Sequence, residues 1–134
     1  MIVEYDTALQ ALVAAALPGV PVDGNFDPRA DLTDAIRARI RFNGFSKQDH
    51  RKTASTITQQ WAVDLQADQA LADATVATAM DGYLNDLIGA LLGAEPANTF
   101  DGIKIDGVGA GVNEAESALQ FSLTFSFNAV IRRT

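Results

Sequence analysis

The sequence predicts an α+β fold in which helices pack on one face of a mainly antiparallel sheet with long hairpins, in the order α-β-β-α-β-β. Three observations lead to this prediction. Residues from Ala118 to Arg132 alternate between apolar and polar, which gives a strand one apolar and one polar face. Residues from Ala74 to Leu92 repeat apolar side chains at helical spacing. Elsewhere, shorter stretches alternate with period 2 between polar or glycine-rich connections.

The composition is typical of one soluble domain. With 134 residues, 48% of them hydrophobic, the chain can bury about two-thirds of its unfolded surface in one core. We therefore expect a single domain over residues 1–134. The absence of cysteine excludes disulfides and thiolate catalysis, and the net charge of −7 opposes general binding to nucleic acids or anionic membranes. Without a signal peptide or a long apolar stretch, the chain is expected to be soluble and made in the cytoplasm.

The first helix is predicted from Ile2 to Leu17. Its apolar residues recur at intervals of three and four, and Pro18 and Gly19 then stop the helix. Residues Val20–Pro28 contain a turn-forming Asp-Gly pair and are interpreted as an extended segment followed by a loop.

Two strands and a long connection are predicted next. The strand Ala35–Phe42 alternates apolar residues with three arginines. The strand Ile57–Ala67 places Trp61 on its apolar face, where Gln59 is the one polar exception. The intervening stretch, Asn43–Thr56, is polar and charged, and we predict that it forms a loop.

The second helix is predicted over Ala74–Leu92, with Asp73 as its N-cap and Gly93 as its stop. Its apolar stripe should pack on the apolar faces of the strands. The expected core contacts join one set of residues from the helix to another from the sheet: Leu84, Leu87, Ile88 and Leu91 against Trp61, Val63, Phe121 and Leu123.

A short strand over Gly102–Val108, a loop over Gly109–Ser117 and a final strand over Ala118–Arg132 complete the prediction. The final strand would span roughly 50 Å at about 3.3 Å per residue. The helix Ala74–Leu92 would be only about 28 Å long at 1.5 Å per residue. Since this helix cannot cover the apolar face of the strand alone, either the first helix or another subunit must share the task. The mismatch is the main physical reason to expect assembly.

Two features could be mistaken for sites of chemistry. Gly107, Gly109 and Gly111 form a G-x-G-x-G stretch, but a phosphate-binding glycine loop must lead into a helix, and here a strand follows. We interpret it as a hairpin loop. His50 is the one histidine and has no orienting partner beside it, so we interpret it as a solvated loop residue. The sequence thus predicts no catalytic residue, no metal site and no cofactor.

Basic residues are concentrated in one region. Six of the ten lie within sixteen positions: Arg37, Arg39, Arg41, Lys47, Arg51 and Lys52. One interpretation is a solvated strand face with cross-strand partners such as Asp64. The other is a docking surface for an acidic partner, including another copy of this acidic chain, in which His50 also takes part.

The order of the elements resembles the tail-terminator, or tail-completion, proteins of long-tailed bacteriophages. The resemblance covers nearly the whole chain and rests on the N-terminal helix, the long hairpin with Trp61, the central helix, and the strands Thr58–Leu65 and Leu119–Phe125. It implies a hexameric ring without catalytic residues that caps the tail tube and meets the head connector. The implied partners are further copies of the chain, the tail-tube protein and the head-tail connector protein. The implied location is the virion tail or neck, after assembly in the host cytoplasm.

Two hypotheses of different class remain. In the first, the protein is a structural ring protein of a phage tail, or a related neck or minor tail protein, whose long hairpins reach neighbouring subunits. In the second, it is a small ferredoxin-like α+β enzyme or ligand-binding module with a pocket between helix and sheet. The lack of a recognisable nucleophile motif weakens the case for the second hypothesis, although carboxylates and arginines alone can support chemistry.

Overall fold

The computed structural model describes residues 2–28, 36–50, 54–70, 72–96 and 102–132. Over these ranges it confirms the α+β prediction, because two helices pack on a five-stranded, mainly antiparallel sheet. The elements, in chain order, are α1 (Ile2–Ala16), β1 (Val22–Asp23), β2 (Arg37–His50), β3 (Ala54–Asp68), α2 (Ala74–Leu91), β4 (Lys104–Asn113) and β5 (Ala118–Arg132). A short 3-10 helix, Glu114–Glu116, leads from β4 to β5. The predicted order therefore holds, with β1 and the 3-10 helix added.

The described strands lie in the order β1-β2-β3-β5-β4. β1 runs parallel to β2, and the other neighbouring pairs are antiparallel. The central ladder joins β3 to β5 from Ala54 opposite Arg132 to Asp68 opposite Ala118, without a register shift. The final strand is therefore as long as the sequence predicted, and it lies inside the sheet.

The helix α2 begins at the predicted residue, Ala74, and ends one residue before the predicted end. Asp73 Oδ1 accepts a hydrogen bond from the backbone N–H of Val76 at 2.9 Å. This bond gives a partner to one of the first N–H groups of the helix, which have no acceptor within the helix itself. The helix ends at Leu91, and Gly93 follows with φ of +78°, a conformation that favours glycine. In the part of the chain that the structure describes, neither helix is both long and apolar enough to cross a membrane.

The hydrophobic core lies between the two helices and one face of the sheet, here called the helix face. Every residue of the predicted core belongs to it. Trp61, Leu87 and Leu123 are fully buried, while Ile88 and Phe121 are half-buried at its margin. The alternation of apolar residues along β3 and β5 is thus explained by burial beneath helices on one side only.

The first helix shares the task of covering the final strand. The rings of Tyr5 in α1 and Phe127 in β5 lie 5.1 Å apart, and Leu9 and Val13 are fully buried in the same core. We expected either the first helix or another subunit to help cover β5, and the structure shows that the first helix does so. The length of β5 alone does not require a second subunit.

The prediction of a loop over Asn43–Thr56 is wrong for most of that segment. β2 continues to His50, which pairs with Ser55, and β3 begins at Ala54. Two register shifts, after Phe42 and after Phe45, interrupt the ladder. Each bulge adds an unpaired residue and so breaks the period of 2 that would have revealed a strand. Backbone pairing supplies the hydrogen bonds whatever the polarity of the side chains.

The predicted loop Gly109–Ser117 is also wrong. β4 continues to Asn113, and the turn that follows consists of the 3-10 helix and Ser117, which has φ of +50°. None of the glycines in β4 has a left-handed φ. The glycine-rich stretch is therefore an ordinary extended strand, held by pairing with β5, and is neither a hairpin loop nor a phosphate loop.

Candidate interaction surface

The sheet face opposite the helices, here called the open face, is polar. Its register aligns one residue from each of four strands, as in the row Arg39, Asp64, Ser122 and Gly109. Residues in such a row point to the same side of the sheet because they are direct cross-strand neighbours. The alternation in the sequence therefore brings the predicted arginine stripe beside the carboxylate of β3 and the hydroxyls of β5.

An ion pair between Arg41 and Asp64 lies at the centre of the open face. Arg41 donates from Nε to Asp64 Oδ2 at 2.9 Å and from Nη2 to Oδ1 at 3.2 Å, a bidentate geometry. Ser122 donates from its hydroxyl to the same Oδ1 at 2.8 Å. The hydrogen bond with Asp64 raises the pKa of the Arg41 guanidinium and outweighs burial, which lowers it. Asp64 therefore acts as a cross-strand partner of the stripe, as predicted. It pairs with Arg41, however, and not with Arg39, which lies directly opposite it in the register.

Hydrogen bonds continue from this ion pair across the face. Gln120 donates to Ser122 Oγ at 3.0 Å, and its own Oε1 accepts from Gln66 at 2.8 Å and from Asn113 at 3.0 Å. Gln66 also donates to Glu116 in the 3-10 helix. The network thus runs from β2 to β4 and holds its side chains in fixed orientations, because each group is oriented by its neighbour.

The three arginines of the stripe differ in their partners. Arg37 donates from Nη2 to Asp23 Oδ1 at 2.9 Å and from Nε to Oδ2 at 3.2 Å, which ties β2 to β1. Arg41 pairs with Asp64, as described above. The side chain of Arg39 has no hydrogen bond or ion pair with any residue in the described ranges. The stripe therefore carries one uncompensated positive charge between two internal ion pairs.

The other predicted docking residues fall in or near the hairpin of β2 and β3. Lys47 and His50 lie on β2, where their backbones pair with Thr58 and Ser55. Arg51 and Lys52 lie outside the described residues. His50 is thus the last residue of a strand rather than a loop residue, and docking through this set stays a prediction.

A shallow groove of about 350 Å³ lies on the open face where β4 meets β5. The residues that line it are small or uncharged: Gly109, Ala110, Gly111, Val112, Asn113, Gln120 and Ser122. The groove was missed at the sequence level because the glycines were interpreted as a loop; their spacing of two is itself the period of a strand. None of its lining residues is titratable, and among the described residues no group of three or more His, Asp or Glu side chains could hold a metal ion.

Comparison with known proteins adds a structural neighbour. No family model matches the chain, and the sequence of no curated protein matches it. Among solved structures, one chain of the virion of a native gene transfer agent (GTA) particle matches with a TM-score of 0.61 and 16% identity. The match covers 98% of this chain and 95% of that chain. At this identity the likeness shows the fold, which the two chains share over nearly their whole lengths.

Proposed function

We propose that the protein is a structural, non-enzymatic component of a phage-like particle and acts as its tail terminator. In this role it forms a ring, with six copies as the expected number, that caps the tail tube and joins it to the head connector. The observation that carries the proposal is the match to a virion chain. Because the match covers nearly all of both chains, the two chains share a whole fold rather than a single motif.

The chemistry of the open face supports a role in protein contact. Its central ion pair and amide network are satisfied internally, and its groove is lined by neutral groups. Arginine is enriched at protein interfaces because its planar guanidinium combines stacking with several hydrogen bonds. Arg39, with no partner in the described ranges, is the member of the stripe that is available for such a contact.

The shape of the long hairpin also supports assembly. Tyr5 lies near the start of α1 and contacts Phe127, yet β3 and β5 extend past that contact to Ala54 and Arg132. Phe45, in the corresponding part of β2, is 53% exposed. Long strands with an exposed aromatic side chain are suited to reach a neighbouring subunit, the tail-tube protein or the connector.

The proposal is tested by the assembly state of the purified protein. We expect native mass spectrometry and particle images to show a closed ring, either in solution or once tail tubes are added. Heterologous contacts that close produce rings of this kind. A monomer at high concentration, both alone and with tail tubes, would contradict the proposal.

Docking through the basic hairpin has its own test. Replacing Lys47, Arg51 and Lys52 together by Ser should weaken tube binding, with the greater loss at low ionic strength, where screening is least. The polar sequence around these charges predicts that they are solvated, so the melting temperature should stay nearly unchanged. A matched control places Asp at three exposed positions of α2, which changes the net charge by the same amount: Thr75, Thr78 and Asn85. Equal binding by wild type and the serine variant at both ionic strengths would show that the hairpin does not take part in docking.

A further inference from the structure

Asn43 and Gly44 form the one asparagine–glycine pair in the sequence. Asparagine is thermolabile because the backbone nitrogen of the next residue can attack its side-chain carbonyl carbon. Glycine permits this attack best, since it has no side chain to hinder the approach and its backbone adopts the widest range of conformations. This pair is therefore the place in the sequence where such a reaction is most favoured.

The structure places the pair in a bulge of β2. The register passes from Phe42 to Gly44 and leaves Asn43 without a cross-strand partner among the described residues. Gly44 has φ of +96°, a left-handed conformation that favours glycine. The side chain of Asn43 is exposed to solvent. Water therefore reaches the amide, and the local backbone departs from the repeating geometry of a strand.

Arg41 holds the amide group of Asn43. Its Nη1 donates to Asn43 Oδ1 at 2.6 Å, a short bond of the kind that a charged donor forms. Because a guanidinium has no acceptor, the oxygen of the side-chain amide faces Arg41, and its nitrogen does not. The other bonds of Arg41, to Asp64 at 2.9 and 3.2 Å, fix the position of the guanidinium. A positive charge is thus held at the carbonyl oxygen of Asn43.

This contact suits the chemistry of an attack on the amide. When a nitrogen adds to the side-chain carbonyl carbon, negative charge develops on Oδ1 in the tetrahedral intermediate. A donor already aimed at that oxygen stabilises the charge, as the donors of an oxyanion hole do in enzymes. Arg41 therefore has two roles, since it forms the central ion pair of the open face and polarises the amide beside it.

We propose that Asn43 is a site of spontaneous deamidation that Arg41 assists. The backbone nitrogen of Gly44 loses its proton to water and forms a bond to Asn43 Cγ. The bond from Cγ to Nδ2 breaks, and ammonia leaves with a proton from water, so that a five-membered succinimide remains. Water then adds to either ring carbonyl and opens the ring to aspartate or to isoaspartate. The net reaction consumes water and releases ammonia, mole for mole.

The fold can accept both products. An aspartate at position 43 retains an oxygen in the place of Asn43 Oδ1, so Arg41 would keep this bond and pair with two carboxylates. Isoaspartate adds a main-chain carbon at a position that already lies outside the cross-strand register. The modification therefore adds negative charge beside the arginine stripe while Arg41 keeps its partners.

Peptide mapping of the full-length protein tests the site. Trypsin cleaves after Arg41 and Lys47 and so releases the peptide Phe42–Lys47, in which Asn43 is the only asparagine. During incubation at physiological temperature we expect aspartate and isoaspartate forms of this peptide to accumulate. They should form faster at mildly alkaline than at neutral pH, because the attacking nitrogen must lose its proton. A sample digested at the start corrects for deamidation during digestion.

An internal control comes from another asparagine of the same chain. Asn85 is exposed, as Asn43 is, but Asp86 follows it, so it should react more slowly in the same samples. An intact Asn43, or equal rates at Asn43 and Asn85, would overturn the proposal.

Substitutions separate the site from the role of Arg41. Asn43→Gln should abolish the isoaspartate that an isoaspartyl methyltransferase labels in the wild type, because glutamine would have to close a six-membered ring, which forms far more slowly. Arg41→Ala should slow the loss of Asn43 about threefold to tenfold, the effect of one exposed hydrogen bond. Arg39→Ala is the matched control and should leave the rate unchanged, since its side chain has no hydrogen bond or ion pair within the described ranges.

The outcomes of these variants are distinct. Undiminished labelling of the Asn43→Gln variant would place the reaction at another residue and overturn the site. Loss of Asn43 in Arg41→Ala that is as fast as in Arg39→Ala, or faster, would overturn assistance by Arg41.

Discussion

The two faces of the same sheet are held by different physics. On the helix face, alternate residues of β3 and β5 are buried beneath two helices, and their stabilisation grows with the apolar area removed from water. On the open face, the intervening residues are held by directed pairs such as Arg41 with Asp64. Apolar burial tolerates small shifts of position, whereas a hydrogen bond depends on the geometry of one partner. Substitutions should therefore cost most on the helix face and vary more with partner on the open face.

The largest effect is expected on the helix face. Leu87→Ala should lower the free energy of unfolding by about 2–5 kcal/mol, because it removes buried methyl groups and leaves a cavity. Leu92→Ala is the matched control: Leu92 directly follows the end of α2 and is 60% exposed, and truncating its side chain should cost less than about 0.5 kcal/mol. Chemical denaturation of both variants measures the difference. Similar values for the two would mean that α2 does not pack as described.

A smaller but clear effect is expected at the centre of the open face. Asp64 is 4% exposed, and its removal leaves the Arg41 guanidinium and the Ser122 hydroxyl without their acceptor. Asp64→Ala should cost about 1.5–3 kcal/mol, the usual contribution of hydrogen bonds to a charged group. Asp81→Ala, at an exposed position of α2, serves as control and should change the stability by less than about 0.5 kcal/mol. Equal denaturation midpoints would show that the network does not contribute to stability.

Two glycines sharpen the contrast between packed and open regions. A side-chain carbon at Gly102 would lie 2.7 Å from the backbone carbonyl oxygen of Gly93. This part of the chain is held in place because the Gly93 N–H donates to Ile103 O at 3.0 Å and the Ile103 N–H donates to Ala94 O at 2.8 Å. Gly102→Ala should therefore cost about 1–3 kcal/mol through overpacking. Gly111 lies on the open face with nothing within 4 Å of such a carbon, so Gly111→Ala should stabilise by up to about 1 kcal/mol. Melting temperatures that move in the same direction would contradict this difference.

The smallest effect is expected at the unpaired arginine. Arg39→Ala should change the free energy of unfolding by less than about 0.5 kcal/mol, because the side chain of Arg39 has no ion pair or hydrogen bond within the described ranges. Arg41→Ala should cost up to about 1 kcal/mol more, a modest value because its side chain is 42% exposed and solvent screens the pair. Thermal melts of the two variants test the order. A larger loss from Arg39→Ala would show that its charge is compensated in the fold.

Periodicity was sufficient to predict the helix face. The spacing of apolar residues placed α2 and β5 correctly, and Asp73 and Gly93 set the ends of α2 because caps follow from local chemistry. The same reasoning failed for Asn43–Thr56 and Gly109–Ser117, where bulges and glycines disrupt the pattern although pairing continues. Strand pairing is a long-range property, and apart from the spacing of two between the glycines, no local signal in those stretches reports it.

The open face was predicted only in part. The arginine stripe and a role for Asp64 follow from alternation, but the pairing of Asp64 with Arg41 depends on the diagonal geometry of the sheet. The amide chain through Gln66 and Gln120 depends on a contact between residues far apart in sequence. Such partners become visible only once the order of the strands is known.

The position of β5 has a consequence for how the chain acquires its structure. β5 follows every other described strand in the sequence, yet it lies between β3 and β4 and pairs with both. During synthesis, β3 therefore keeps one exposed edge, and β4 has no described neighbour, until β5 has left the ribosome. Because pairing of this kind joins distant parts of the chain, folding should be slow relative to that of helical domains of similar size. The final strand contributes residues to both the core and the open face, so neither face is complete until β5 has paired.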